Sequence, residues 1–155
     1  KKVCTLANSR YVLVELPLFN KIIPMNVFDE FNRLQDAGYI PILAHPERYD
    51  FVSEDINTLV SLIESGVLLQ SNIASISGKY GKQVKKNLKI MLKRNMVHFL
   101  GSDSHTTSVY EIYEKCIKKI KKIVKDDELF EKILIENPQH VINDEKIDIW
   151  YPKYK

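Results

Sequence analysis

One pattern limits the architecture of this chain more than any other. Four apolar, β-branched runs recur about every 28 residues, with helical periodicity between them. The runs are "YVLVELP" (11–17), "YIPILAH" (39–45), "VLLQSNI" (67–73) and "VHFLGSD" (97–103). They are apolar nearly throughout instead of at alternate positions, so such strands must be buried on both faces. Strands of that kind, separated by helices, form a parallel sheet covered by helices, which is the α/β class. Four βα units make either an open doubly wound sheet or about half of a (β/α) barrel, because a whole barrel takes roughly 200 residues or more.

The connecting segments carry their own punctuation. Pro24 opens a helix near 24–37 with Val27, Phe31 and Leu34 on one face and Gly38 at its end. Ser53 is placed to cap a helix bearing Ile56, Leu59, Val60 and Ile63, which stops at Gly66. A helix near 80–95 aligns Tyr80, Val84, Leu88 and Met91, and one near 109–125 aligns Ile112, Cys116, Ile120 and Ile123. A last helix is expected near 127–136, ended by Pro138. No linker or low-complexity stretch divides the 155 residues, so a single domain over 1–155 is expected.

Composition excludes several classes. No apolar run approaches the roughly 20 residues that cross a bilayer, and no charged-then-apolar leader opens the sequence. Two cysteines, Cys4 and Cys116, argue against a disulfide framework and for a reducing, cytoplasmic setting. Lysines crowd two helices (Lys82 to Lys93 and Lys115 to Lys125), mainly opposite the apolar stripes, which reads as a solvated face. No aromatic side chains interleave there to stack bases, and the net charge is only +3, so nucleic acid is not expected.

In parallel α/β folds the ligand sits where the strands' carboxyl ends meet the loops. Here those ends hold Glu15, His45, Gln70 with Asn72, and Asp103 with His105. Strand alternation lets Asp103 and His105 share one face, with Gly101 leaving room beside them. Carboxylates mixed with imidazoles suit Mn²⁺, Fe or Zn²⁺ better than Ca²⁺. Taken singly, Glu15 reads as a loop residue, His45 as a turn histidine and Asp103 as a helix cap. Their occurrence together at one rim favours a metal site. Arg48 follows His45 closely enough to face the same cleft, where it either binds a phosphate or forms a surface ion pair. His98 reads as a packed histidine, and His140 as a loop or helix-end residue. "CTLANSR" (4–10) has the Cys-x5-Arg spacing of cysteine phosphatases, but it lacks glycine and Arg10 leads into a strand, so it reads as coincidence.

The segments "RYVLVELP", "GYIPILAHPERY", "GVLLQSNIASISGKYGK" and "NMVHFLGSDSH", in this order, resemble the polymerase and histidinol phosphatase (PHP) superfamily. The likeness is strongest to its bacterial branch of capsule and exopolysaccharide tyrosine phosphatases, and it covers about residues 8–145, including "NPQHVIND". The resemblance implies a distorted (β/α)7 barrel with up to three metals, usually Mn²⁺. It implies metal ligation by Glu15, His45, Asp103 and His105, with Glu15 bridging two metals and Arg48 facing the substrate phosphate. Phosphotyrosine on a protein, a capsule-related tyrosine kinase above all, is the implied substrate, attacked in line by water that the metals activate. A histidinol-phosphate phosphatase and a catalytically incomplete half barrel that oligomerises or binds a partner are the alternatives.

Two departures bear on this expectation. The family's His-x-His opening strand does not precede Lys1, so the chain is expected to be the C-terminal portion of such an enzyme, with about half of its metal site. The family also often carries an arginine soon after Asp-x-His, where this sequence has Thr106, Thr107, Ser108, Val109 and Tyr110.

Overall fold

A computed structural model describes residues 3–105, 107 and 110–153. At its centre is a parallel sheet of β1 (Tyr11–Val14), β2 (Ile40–Ala44), β3 (Leu68–Asn72) and β4 (Phe99–Gly101), in that spatial order. Leu13 pairs with Ile42, Ala44 with Gln70, and Asn72 with Gly101, so the carboxyl ends finish at one rim. Each strand lies beside its predecessor, and every crossover therefore steps the same way around the sheet. A doubly wound sheet reverses direction at a switch point. This sheet does not reverse, and its winding is that of a barrel segment.

The strands are shorter than the apolar runs. β1 leaves the sheet because the Leu16 N–H is taken by the Tyr49 hydroxyl at 2.9 Å. β2 and β4 give way to left-handed backbone at His45 (φ +36°) and Asp103 (φ +44°).

The helices are α1 (Val27–Asp36), α2 (Asp50–Glu54), α3 (Thr58–Glu64), α4 (Lys82–Lys93), α5 (Tyr110–Val124), α6 (Asp127–Glu131) and α7 (Asn137–Ile142). One sheet face, through Leu43, Leu69 and Leu100, packs on Phe31, Leu59, Ile63, Leu88, Met91 and Ile120. Each such side chain contributes about 1.5–3 kcal/mol when fully buried.

Helix boundaries differ from the sequence expectation: α1 starts at Val27 and not at Pro24, and α4 at Lys82, after Tyr80. Ser53 does not cap the second helix; it lies inside α2, and its hydroxyl accepts from Asn87 Nδ2 at 3.0 Å. The Asp55 carboxylate accepts from Asn57 N–H at 2.9 Å, a local turn that separates α2 from α3. Nor does Pro138 end the last helix. It occupies the first turn of α7, where a missing N–H is tolerated, and a π-helical turn (Lys132–Glu136) joins α6 to it.

Among the described residues the other sheet face is covered only at its base. Tyr11, Ile42, Leu68 and Phe99 meet Val141 of α7 and Ile147 of the C-terminal segment. Higher up, Leu13 is 46% exposed beside a cavity of about 310 Å³ lined by Leu13, Ile42, Gln70, Phe99 and Val141. The C-terminal segment is tied down at several points. The Arg10 backbone N–H and Nε donate to Asp144 Oδ1, the Tyr11 hydroxyl donates to the Glu145 carbonyl, and Trp150 Nε1 donates to the Asn95 carbonyl. Cys4 and Cys116 are both free. Among the described residues no helix is long and apolar enough to cross a membrane.

Candidate active site

The rim is built on the turn that follows β2. His45 adopts left-handed backbone immediately before Pro46, a position that sterics push towards extended conformations. Strain of this kind persists only where the surroundings hold it in place. Here Pro46–Arg48 forms a short 3-10 helix, and Glu47 locks it from below. Glu47 is wholly buried, and its Oε1 accepts from Asn72 N–H at 2.8 Å and from the Ser75 hydroxyl at 2.7 Å. Burial raises the Glu47 carboxyl above its ordinary range, and these hydrogen bonds oppose the rise. Asn87 Nδ2 donates to the Glu47 carbonyl at 3.0 Å, which pins the same turn to α4. Tyr49, fully buried, receives the Leu16 N–H and so fixes the residue next to Glu15; burial pushes its phenol up to about 12.

Two pairs of candidate ligands stand on this frame. His45 Nε2 lies 3.2 Å from Glu15 Oε1, the imidazole buried and the carboxylate exposed. His45 Nδ1 is buried without a hydrogen-bond partner among the described residues. Burial and then the Arg48 charge hold His45 below its ordinary range, against the pull of Glu15 and Asp103, so near neutral pH it is the unprotonated imidazole that metals bind. The second pair is Asp103 with His105, whose Nδ1 lies 3.2 Å from the Asp103 carbonyl and 3.9 Å from Oδ1. Asp103 Oδ2 accepts from Arg48 NH1 at 3.1 Å and from Asn72 Nδ2 at 2.7 Å. Gln70 Nε2 donates to Asn72 Oδ1 at 3.1 Å. A Cβ at Gly101 would come within 2.5 Å of that Gln70 nitrogen, so the room the glycine leaves is taken up by the Gln70 amide and not left open beside Asp103 and His105.

Glu15, His45, Arg48, Asp103 and His105 therefore stand at one rim, as two acid–imidazole pairs with the guanidinium hydrogen-bonded to one of them. Among the described residues no three His, Cys, Asp or Glu side chains come close enough to hold a metal ion. The donor chemistry nevertheless fits a divalent transition metal: carboxylates beside imidazoles, one of them neutral, buried and with a free ring nitrogen. Such a metal would need further ligands beyond either pair.

The remaining sequence candidates resolve simply. His98 is buried, accepts from the Leu69 N–H through Nδ1 and stacks on Trp150 at 4.9 Å, as a packed histidine does. His140 sits in the last turn of α7. Arg10 leads into β1 and pairs with Asp144, which leaves the Cys-x5-Arg spacing without a phosphate loop. Of the residues after His105, Thr106, Ser108 and Val109 lie outside the described residues. Sequence reasoning missed Glu47, Tyr49 and Tyr80 as site residues. Only the first two had a signal, their place in "HPERY" next to His45 and Arg48. Tyr80 looked like a member of a helix stripe, yet it lies before α4 with its ring under the Arg48 guanidinium.

The chain matches the family described as "Capsular polysaccharide synthesis, CpsB/CapC" over residues 1–143. It is 32% identical over 152 residues to CapC of Staphylococcus aureus, covering 98% of this chain and 58% of that protein. It is 34% identical over 105 residues to the tyrosine-protein phosphatase YwqE of Bacillus subtilis, covering 68% of this chain and 41% of that protein. The fold matches a solved structure described as YwqE from Bacillus subtilis and CpsB from Streptococcus pneumoniae, "unique metal-dependent tyrosine phosphatases". The TM-score is 0.85 at 27% identity, over 96% of this chain and 59% of that one. The chain thus spans less than two thirds of the length of these relatives. With its parallel sheet, its rim of acid–imidazole pairs and this match along nearly its whole length, the chain belongs to the CpsB/CapC family of capsular polysaccharide synthesis.

Proposed function

We propose that this chain is the C-terminal portion, as one domain over residues 1–155, of a metal-dependent phosphomonoesterase that removes phosphate from phosphotyrosine on a protein. The observation that carries this reading is the placement of Arg48 among candidate metal ligands at the strand ends, hydrogen-bonded to Asp103. A guanidinium presents a planar fork of donors that matches a phosphoryl group in a bidentate way. The solved relative is described as a metal-dependent tyrosine phosphatase, and the donor set here suits the same chemistry.

Glu15, His45, Asp103 and His105 would hold the metal, Mn²⁺ by preference over Fe or Zn²⁺. When bound, divalent metals supply acidified water near neutral pH and positive charge against phosphoryl oxygens. The chain's own residues do the rest. Arg48 binds the phosphate and offsets charge on its oxygens as the ester bond breaks. Asn72 and Gln70 hold Asp103 in place, and Glu47 fixes Asn72 from below. Tyrosine is a fairly good leaving group, so no strong general acid is needed. The partner is a capsule-related tyrosine kinase or another phosphotyrosine protein of that system, met in the cytoplasm.

The test is Mn²⁺-dependent hydrolysis of a phosphotyrosine peptide, with Asp103→Ala as control, in this chain and in the natural protein with any preceding segment. Activity that rises with Mn²⁺ and is lost in the variant is the expected result for the natural protein. No hydrolysis there with any metal overturns the reading. One observation favours a second reading, a non-catalytic half barrel that pairs with another chain: the sheet face bearing Leu13 is open and apolar. That reading predicts dimers by light scattering and no activity.

A further inference from the structure

We propose that Tyr80 positions Arg48 for phosphate and gives this site a preference for aryl over alkyl phosphates, an inference that rests on the phosphomonoesterase reading above. Arg48 Cζ lies over the Tyr80 ring, 4.7 Å from its centroid. The two residues come from different parts of the rim. Arg48 ends the 3-10 helix after β2, and Tyr80 lies in the loop between the 3-10 helix Ile73–Ser77 and α4.

The loop is stiff enough to aim a side chain. Gly78 (φ +93°) and Gly81 (φ +103°) flank Lys79 and Tyr80, and the Gly81 N–H donates to the Gly78 carbonyl at 2.9 Å. This closes a four-residue turn with Lys79 and Tyr80 at its tip. The Ser77 hydroxyl accepts the Lys79 N–H at 3.1 Å, which ties the turn to the preceding helix.

A ring beneath a guanidinium attracts the cation through its face and leaves the in-plane N–H donors free for an anion. The Asp103 carboxylate is the other anchor of Arg48, and it is a group that a metal would claim. The contact with Tyr80 involves no metal ligand, so it would survive metal binding and keep the long Arg48 side chain from swinging away.

The same ring, partly exposed beside Arg48, would also meet the ligand. Tyr80 is half-buried, whereas Tyr49, the ring next to His45, is wholly buried and cannot meet a substrate. An aryl phosphate carries its ring one oxygen from phosphorus, so phosphate held by Arg48 brings that ring within pairing range of Tyr80. An alkyl ester offers no such face. Lys79, with Nζ 5.9 Å from the ring centroid, adds a cation at the cleft mouth.

The experiment is equilibrium binding of benzylphosphonate and butylphosphonate, which are not hydrolysed, to the natural Mn²⁺-loaded protein and to Tyr80→Phe and Tyr80→Leu. Calorimetry gives each affinity, and circular dichroism checks the fold of each variant. The wild type and Tyr80→Phe should bind the benzyl compound roughly 3- to 10-fold more tightly. Tyr80→Leu should lose that preference and weaken both compounds, and its KM for a phosphotyrosine peptide should rise more than its kcat falls. Equal preference in Tyr80→Leu, or none in the wild type, overturns the role of Tyr80 even where peptide hydrolysis persists. No binding of either compound overturns it together with the phosphatase reading.

Discussion

At the residue scale, geometry separates side chains that share a type. His45 and His98 are both buried, but His45 faces Glu15 at a strand end whereas His98 packs beneath Trp150. Burial alone pushes His98 down from its ordinary 6.5 to about 3. The folded state therefore binds no proton there until strongly acid pH, while the unfolded chain binds one below about 6.5. The stability that His98 contributes is fully present above about pH 6.5. It falls by about 1.4 kcal/mol per pH unit on acidification, until the folded pKa is passed. Urea titrations of His98→Gln between pH 7 and 4 should show a shallower acid limb than the wild type. Arg48 gives a second prediction. Lysine keeps the charge but loses the planar fork and its fit over Tyr80, so Arg48→Lys should lower kcat/KM on a phosphotyrosine peptide about 10- to 100-fold with little change in melting temperature.

At the scale of elements, the turn after β2 organises the rim, and much of its design lies below the surface. Tyr49→Phe removes the acceptor of the Leu16 N–H and should cost about 1–2 kcal/mol in chemical denaturation while loosening Glu15. Glu47→Ala leaves the Asn72 N–H and the Ser75 hydroxyl without their acceptor and should cost more, about 2–4 kcal/mol. The parallel sheet was legible in the sequence because runs buried on both faces have few other solutions. The direction of winding was not legible in the periodicity, since strand order depends on contacts between distant residues; only the family resemblance pointed to a barrel. Strand ends were misjudged for a specific reason: "ELP", "HPER" and "SDSH" follow directly on the apolar runs, yet their backbone groups leave the ladder to build the rim. Glu15, His45, Asp103 and His105 announced themselves by residue type. Glu47 did not, because a carboxylate that reads as solvent-facing is here held in the core by partners from β3 and the loop after it.

For the whole molecule, the two sheet faces have different fates. One is sealed by α1, α3, α4 and α5, and the other is covered only at its base by α7 and the C-terminal segment. A chain ending at Asn143 would lose the Tyr11 acceptor at Glu145 and the packing of Ile147 and Trp150. Loss of that packing should cost about 3–5 kcal/mol and lower the melting temperature by roughly 10 °C in calorimetry.

The tie between Tyr11 and Glu145 spans 134 residues. Of the four strands of this sheet, the first to be synthesised is therefore the one whose clasp arrives last. At synthesis rates of 5–20 residues per second, those 134 residues separate the two partners by roughly 7 to 27 seconds. Throughout that interval β1 lacks its C-terminal clasp, so the pace of translation sets a minimum to the time its base stays unclasped.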